Sequence, residues 1–460
     1  PMMEPRSSRR GGDLMRTSGI VGKFALVGLA VVLSGCFGRG DKTSSSSISV
    51  WMFPQGDDEA AIHAFETAYE KSHPGKNVEI VVYPEDEYVT KVNTALVAGN
   101  PPDVAIIESD DWMQAGYVVP LTDKLESWGV SIGDFNPGGL ARGALENDAT
   151  NGVFGIGTFL GGNVLVYNKK LFDAAGVPYP SADDSMTFQQ YADICRRLAK
   201  PDRDPAKNVY GCSMPADIAY NFYPIYGTDG HTAEGNMNAP QLATAFDIGA
   251  ELINDKLAPS PSVLDTVAES DLFAQGQIAI TWSDFTAVPT YEQADIDFGM
   301  APFFVVQGQD DFVDTWTAPW GTFTESRHPE DAMQFLQFLA TDGQKIQMTA
   351  TADPPLSTKV AQEAGYGKDD PIKEQFLRVL ANARPLQFVP PGEENWDPVE
   401  VMRLLTVEKQ SHAQPILDKM AAAAQAALPE VWSRWDSLNK ARFQSQVEQE
   451  QSEAPDASGD

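Results

Sequence analysis

Two hydrophobic periods take turns along the first hundred residues of this chain. Ile48-Ser-Val-Trp-Met-Phe53 has the short apolar run of a strand. Behind it Ile62, Phe65 and Tyr69 recur at helical spacing, with Asp57, Asp58 and Glu59 in the first turn, where the helix dipole favours anions. Pro74-Gly75 ends that helix. Val78–Tyr83 reads as a second strand, Tyr88, Val92 and Leu96 as a second helical face closed by Gly99, and Asp103–Ile107 as a third strand. Strand–helix alternation with compact loops predicts a parallel sheet with right-handed crossovers. The middle of the chain repeats it. Val164–Tyr167, Ile278–Thr281 and residues 298–306 read as strands. Lys169–Ala175, Phe188–Leu198, Leu242–Ile253, Ser270–Gln275 and Glu330–Leu339 read as helices. From Pro371 to Phe443 the pattern is nearly all helix, with breaks expected near residues 385–391, Pro398, Pro415 and Pro429. A chain of 460 residues exceeds what one core holds, so two lobes are expected.

The N-terminal region has another pattern. Phe24–Leu33 is an apolar run of about ten residues behind Arg16 and Lys23, too short for a permanent span and suited to a secretory signal. Leu33-Ser-Gly-Cys36 follows and looks like a bacterial lipobox, in which the cysteine becomes the acylated first residue. An ordinary signal peptide is the alternative. On the lipobox reading residues 1–35 are removed, with Met15 a plausible start. Cys36 is then lipidated, and residues 36–47 form a flexible tether. The chain is expected on the outer face of the cytoplasmic membrane. No other stretch approaches the roughly eighteen apolar residues of a span. Of the three cysteines, Cys195 and Cys212 are left either to pair or to stay free. The net charge of −32 excludes nucleic acid as a partner, because phosphates need a basic surface. Residues 444–460 are polar and acidic, and a disordered tail is expected there.

Catalytic signatures are missing. There is no nucleophile elbow and no P-loop, and Gly155–Gly161 leads into a strand where a dinucleotide fingerprint needs a helix. The five histidines never reach metal-ligand spacing, so neither metal nor cofactor is expected. What recurs is aromatic rings beside carboxylates in loops: Asp110 and Trp112 after the third strand, Tyr220, Tyr223 and Tyr226 before Asp229, Trp282 and Asp284 after a strand, Trp316 and Trp320 around Ala318-Pro319, and Trp396 in the loop 392–397. Rings stack on the C–H faces of sugars, and carboxylates accept bonds from hydroxyls. Any one of these rings could equally be core. Open α/β sheets bind ligands at strand carboxyl ends, which is where this set falls.

Several segments together resemble the extracellular solute-binding proteins of ABC importers, in particular the maltose-binding-like sugar binders. Gly99-Asn-Pro-Pro-Asp-Val104 followed by Gly116–Leu121 is similar to one family pattern, and Leu165–Phe172 with Ala175-Gly-Val-Pro178 to another. Thr228-Asp-Gly230, Phe273–Ala279 and Glu330–Leu339 match three more. The resemblance runs from Ile48 to about Phe443. It implies an α/β, two-lobed periplasmic-binding-protein-like fold of type II, each lobe a mainly parallel sheet flanked by helices. Residues 48–155 and 302–352 would form one lobe, and 156–301 and 353–443 the other. Crossings are expected near Gly155–Gly162, Pro302 and Asp353-Pro-Pro355. By the same resemblance Asp110 holds sugar hydroxyls, Tyr220 and Tyr223 near Asp229 supply stacking rings, and Trp396 supplies another. Trp282 and Asp284 lie close to a further ring site. Phe53-Pro54-Gln55 replaces polar ligand contacts, and Gly161-Gly162 replaces an acidic one. Those departures argue against maltose itself. The ligand-binding set is thus Phe53, Asp110, Tyr220, Tyr223, Asp229, Trp282, Asp284, Trp316, Trp320 and Trp396. The implied function is capture of a carbohydrate, expected to be an oligosaccharide, by a monomeric lipoprotein that delivers it to a permease. The chain would not be an enzyme. A cationic solute such as a polyamine is the alternative ligand, and a secreted glycosidase the alternative class.

Overall fold

A computed structural model describes residues 46–54, 58–204, 207–214, 235–305, 315–351, 353–381 and 398–453. Cys36 and the lipobox, with Tyr220, Tyr223, Asp229 and Trp396, lie outside them. The alternating start folds as read. β1 (Ser46–Met52), α1 (Asp58–Ser72), β2 (Lys76–Val82), α2 (Glu85–Val97) and β3 (Val104–Ile106) follow in order, and β1 pairs in parallel with both β2 and β3. β1 already pairs at Ser46 with Lys76, so the expected tether loses its last two residues to the sheet. Ile62, Phe65, Tyr69, Tyr88, Val92 and Leu96 are buried on this sheet, as their spacing demands. Asp103, at the head of β3, is buried and accepts hydrogen bonds from the Ser49 amide (2.9 Å) and Ser326 Oγ (2.7 Å). The amide of His328 adds a third, at 3.1 Å. Burial alone would raise its pKa, but these donors hold it below the usual carboxylate range. The aspartate of the Pro-Pro-Asp segment therefore ties β1 to a stretch more than two hundred residues later. A short helix, α3 (Asp110–Gln114), follows β3.

The second half departs from the expected alternation at one strand. β4 (Gly161–Gly162) and β5 (Val164–Asn168) lead to α4 (Lys169–Ala175), α5 (Phe188–Leu198) and α6 (Pro240–Asn254), then β6 (Ile280–Ser283) and β7 (Phe298–Ala301). β5 runs antiparallel to both β6 and β7, so those two share a direction, and Tyr210 bridges Ile278 in parallel beyond them. β8 (Thr315–Trp316) and β9 (Trp320–Gly321) come next, and β9 is the one antiparallel strand of the first sheet, beside β3. Each sheet thus contains one reversed strand, and each is the strand by which the chain arrives from the other side. β5 is buried on both faces. Val164 and Val166 join the larger core, which holds Phe285, Tyr291, Phe298 and Met300 as well as the first sheet's residues, while Leu165 and Tyr167 join a second core with Phe172, Tyr191 and Phe246.

Three passages of chain lie side by side between the sheets. Gly161 and Gly162 pair with Trp316 and Thr315, and Ile156 exchanges hydrogen bonds with Trp320. On the other edge the Leu160 amide donates to the Pro354 carbonyl and the Leu356 amide to the Thr158 carbonyl. Glycine is required here by space. A Cβ on Gly157 would overlap the Thr317 side chain, and one on Gly161 the Trp316 indole. α7 (Pro329–Phe338) and α8 (Gln344–Ala350) follow, and α8 clamps the passages with two fully buried glutamines. Gln344 Nε2 donates to the Gly157 carbonyl at 2.8 Å, while its Oε1 accepts the Ser357 amide at 2.9 Å. Thr158 Oγ1 donates to Gln347 Oε1 at 3.0 Å. The first and third passages match the expected crossings. The second does not fall near Pro302, because Phe303 and Phe304 are still buried in the second core against Phe188 and Tyr191. It falls at residues 315–320 instead.

The C-terminal third is helical, with α9 (Pro371–Leu380), α10 (Pro398–Thr406), α11 (Gln414–Asp436) and α12 (Lys440–Glu453). Pro429 was expected to break the helix, yet α11 runs through it. The loss of one backbone bond, about 3 kcal/mol, is offset by burial of Leu428, Val431 and Trp435 around it. The tail is also corrected. Residues 444–453 are helical, and the stripe formed by Phe443 and Val447 is buried, with Phe443 against the Tyr117 ring at 5.2 Å. Acidic composition hid that stripe. This end of the chain packs on the first sheet's core, so 353–443 does not belong wholly to the other lobe.

Cys195 on α5 and Cys212 are joined in a disulfide, Cα atoms 5.0 Å apart, closing a 17-residue loop. Replacing both with serine should lower the unfolding free energy by about 3 kcal/mol in urea titrations, with no loss expected if the bridge is absent in solution. Gly157→Ala should cost about 1–3 kcal/mol through overlap with Thr317, and an unchanged urea midpoint would contradict the packing of the three passages.

Candidate functional site

Asp110 sits where β3 ends, at the first position of α3, and is half-buried. Its Oδ1 accepts the Glu146 amide at 3.2 Å. Glu146 reaches it because it holds a left-handed conformation (φ 55°), as does Asn147 (φ 53°), which is uncommon for non-glycine residues and turns the backbone inward. Burial pushes the Asp110 carboxyl up to about 6. The Glu146 amide opposes that rise, the Asp111 and Glu146 carboxylates add to it, and the Arg142 guanidinium opposes it again. Asp111 is also pushed up by burial, with Arg434 pulling it back. The Glu146 side chain is held at both oxygens, by Trp435 Nε1 (2.8 Å) and Asn151 Nδ2 (3.3 Å). This edge can therefore offer a carboxyl poised between charge states, which donates or accepts according to its protonation.

The other expected residues divide. Trp282 lies on β6, half-buried, and its Nε1 is shielded from solvent with no hydrogen-bond partner among the described residues. Asp284 caps the turn after β6, accepting Thr286 Oγ1 at 2.6 Å and the Ala287 amide at 3.3 Å. That bonding orients its carboxylate locally. Trp316 lies in β8 with its indole against Gly161, at the hinge between the sheets. Phe53 and Trp320 are interior. Phe53 is 3% exposed with its ring 4.9 Å from Tyr88, and Trp320 is 2% exposed within β9 beside Ile106. Both pack in the interior, Phe53 just past the end of β1 and Trp320 within β9.

Sequence reasoning missed Glu146, Arg142 and Trp435. Asn147-Asp148 signals a turn, but nothing in it points to Asp110, 36 residues upstream. Trp435 lies in a helical stripe that reads as core, and its partner is 289 residues away.

The model of the family "Bacterial extracellular solute-binding protein" matches residues 54–346. The chain belongs to this family. The solute-binding protein is 23% identical, over 82% of its length and 81% of the relative's, to a maltotriose-binding protein of Pyrococcus abyssi. Its fold is similar to an ABC substrate-binding protein of Listeria monocytogenes in complex with cycloalternan, with a TM-score of 0.69 at 20% identity, covering 83% of this chain and 99% of that one. It is also similar to the Thermus thermophilus maltotriose-binding protein bound with maltotriose, with a TM-score of 0.62 at 19% identity, covering 83% and 100%. These neighbours are two-lobed binding proteins of type II, and the solute-binding protein shares that fold. Members of the family act outside the cytoplasm as binders of solutes. Among the described residues no helix is long and apolar enough to cross a membrane, and no group of His, Cys, Asp and Glu is placed to hold a metal.

The raised pKa of Asp110 has a sign that can be checked. The folded state favours the neutral acid, so ionisation destabilises the fold, fully above about pH 6 and not at all below the unfolded value near 3.8. Asp110→Asn should therefore raise the urea unfolding free energy by about 1–2 kcal/mol at pH 7.5 and leave it unchanged at pH 3. Equal effects at both pH values would contradict the burial of this carboxyl.

Proposed function

We propose that this solute-binding protein is the lipid-anchored receptor of an ABC importer and that it closes its two lobes on an oligosaccharide. The observation that carries the ligand class is the Asp110 carboxyl at the end of β3, pushed up to about 6 by burial; Trp282 on β6, whose buried indole N–H has no hydrogen-bond partner among the described residues, adds a ring to the reading. A carboxyl and an indole are the groups that hold sugar hydroxyls and stack on sugar faces. Among the proteins it is similar to are binders of maltotriose and one in complex with cycloalternan, which favours an oligosaccharide over a single sugar. Tyr220, Tyr223, Asp229 and Trp396 would extend the site on the resemblance to the family, with Asp284 at its edge.

Mechanism follows from differential affinity. A ligand that touches both lobes makes more contacts when they are closed, and it shifts the population by that difference and no more. Bending is concentrated in the three hydrogen-bonded passages at 156–162, 315–320 and 354–356. Acylation at Cys36 would keep the receptor near its permease at high effective concentration. The acidic body, with a net charge of −32, would stay off anionic lipid while the anchor holds it close.

Three carboxylates stand near one another on the first lobe, at Asp110, Asp111 and Glu146, and this favours a polyamine as the second reading. Isothermal titration calorimetry against maltotriose and spermidine separates them. Sugar binding is expected, and Trp282→Ala should weaken it about tenfold through lost stacking. Spermidine binding with silence across a panel of mono- and oligosaccharides would overturn the sugar reading, and hydrolysis of the oligosaccharide by pure protein would overturn the assignment as a binder.

A further inference from the structure

One helix joins the two cores on the side of Asp110. The first part of α11 is rooted in the second core, where Ile416, Leu417, Ala421, Ala424 and Leu428 are buried. Gln414 Nε2 fixes its start to the Asn238 carbonyl at 2.9 Å. Its last turn belongs to the first core, where Trp435 is 3% exposed. Leu417 and Trp435 are about 27 Å apart along the axis of such a helix. The far end is docked by more than burial. Gln114 Nε2, from α3, donates to the Trp435 carbonyl at 3.1 Å, and the indole donates to Glu146 Oε1 at 2.8 Å. α12 then secures the end, with Lys440 Nζ on Glu325 at 2.7 Å and 4.7 Å from the centre of the Tyr117 ring.

Glu146 is the pivot of this arrangement. Its side chain takes the indole, and its own amide goes to Asp110. The residue adopts a left-handed backbone that a non-glycine side chain holds only when its surroundings enforce it. Trp435 and Asn151 hold its side chain, one at each carboxylate oxygen, beside the turn's own backbone bonds from the Asn147 amide to the Ala144 carbonyl and from the Asp148 amide to the Leu145 carbonyl. The same helix end also grips α3, whose first residue is Asp110.

We infer that Trp435 is a positioning residue for the Asp110 carboxyl: a helix rooted in the second lobe brings its indole to Glu146 and so fixes the amide that orients Asp110. Displacement of the second lobe is then felt at Asp110 through α11, which runs unbroken past Pro429, as well as through the hinge. The inference rests on the proposed reading only where it gives Asp110 a ligand to face, and the test below uses no ligand, so the two fail separately.

Hydrogen exchange followed by mass spectrometry on the ligand-free, full mature chain tests it. Trp435→Phe keeps a ring in the core and removes the N–H. Exchange in the peptide spanning 143–150 should rise roughly tenfold, the scale of one lost hydrogen bond to a charged group, while α6 and β2 exchange as in the wild type. Glu146→Ala should reproduce that pattern, and Glu146→Gln, which still offers an oxygen to the indole, should restore protection. Unchanged exchange at 143–150 in Trp435→Phe would overturn the inference. So would acceleration spread equally over α6 and β2, which would mean a general loss of stability, and so would failure of Glu146→Gln to differ from Glu146→Ala.

Discussion

The hydrogen-bonded ladder formed by residues 156–162, 315–320 and 354–356 is the constraint on which the rest of this molecule depends. Two sheets that each bury their own core need a connection that is strong in register and weak in bending. Backbone pairing supplies register. Glycines at 157 and 161 let the neighbouring passage approach so closely that no side chain could stand between. Gln344 and Gln347 supply the anchor, because buried amides that bond the backbone at Gly157 and Ser357 and the Thr158 hydroxyl are expensive to displace. The reversed strands β5 and β9 follow from the same constraint: a chain that crosses at the edge of one sheet enters the next running against its neighbours.

The ladder also places the groups proposed to face the ligand. Trp316 is part of it, Asp110 follows the strand paired with β9, and Trp282 lies on the strand paired with β5. The carboxyl at 110 is kept near its own titration range by competition between burial, two neighbouring carboxylates, one amide and one guanidinium. An ionised acid left alone in that position would be costly, and a fully neutralised one would lose its value to a polar ligand. Its environment lies between the two, as is common for groups that meet a ligand and uncommon for groups that only hold a fold together.

Much of this was legible in the sequence. The strand–helix alternation at 48–107 and the helices Lys169–Ala175 and Phe188–Leu198 are local chemistry, so hydrophobic period suffices. The first and third crossings were expected from the family resemblance, at segments 155–162 and 353–355. The second was misplaced because Pro302 looks like a break, whereas Phe303 and Phe304 commit that stretch to the second core. Phe53 and Trp320 were read as ligand-facing because strand ends and aromatic rings suggest a site, yet burial alone explains them. The glutamine clamp, Glu146 and Trp435 were invisible for a simpler reason. Each acts on a partner far away in sequence, 187 residues for Gln344 and 289 for Trp435, and no local pattern records such a pairing. The acidic composition after Phe443 hid a helix whose few apolar positions carry its packing.

The central claim is that two lobes close on a bound oligosaccharide about this ladder. Small-angle X-ray scattering of the mature protein, alone and saturated with the sugar that calorimetry identifies, tests it most directly. Closure predicts a smaller radius of gyration, by about 1 Å, with no change in mass. Saturation with an unchanged radius, or a change that appears only with dimerisation, would contradict the account.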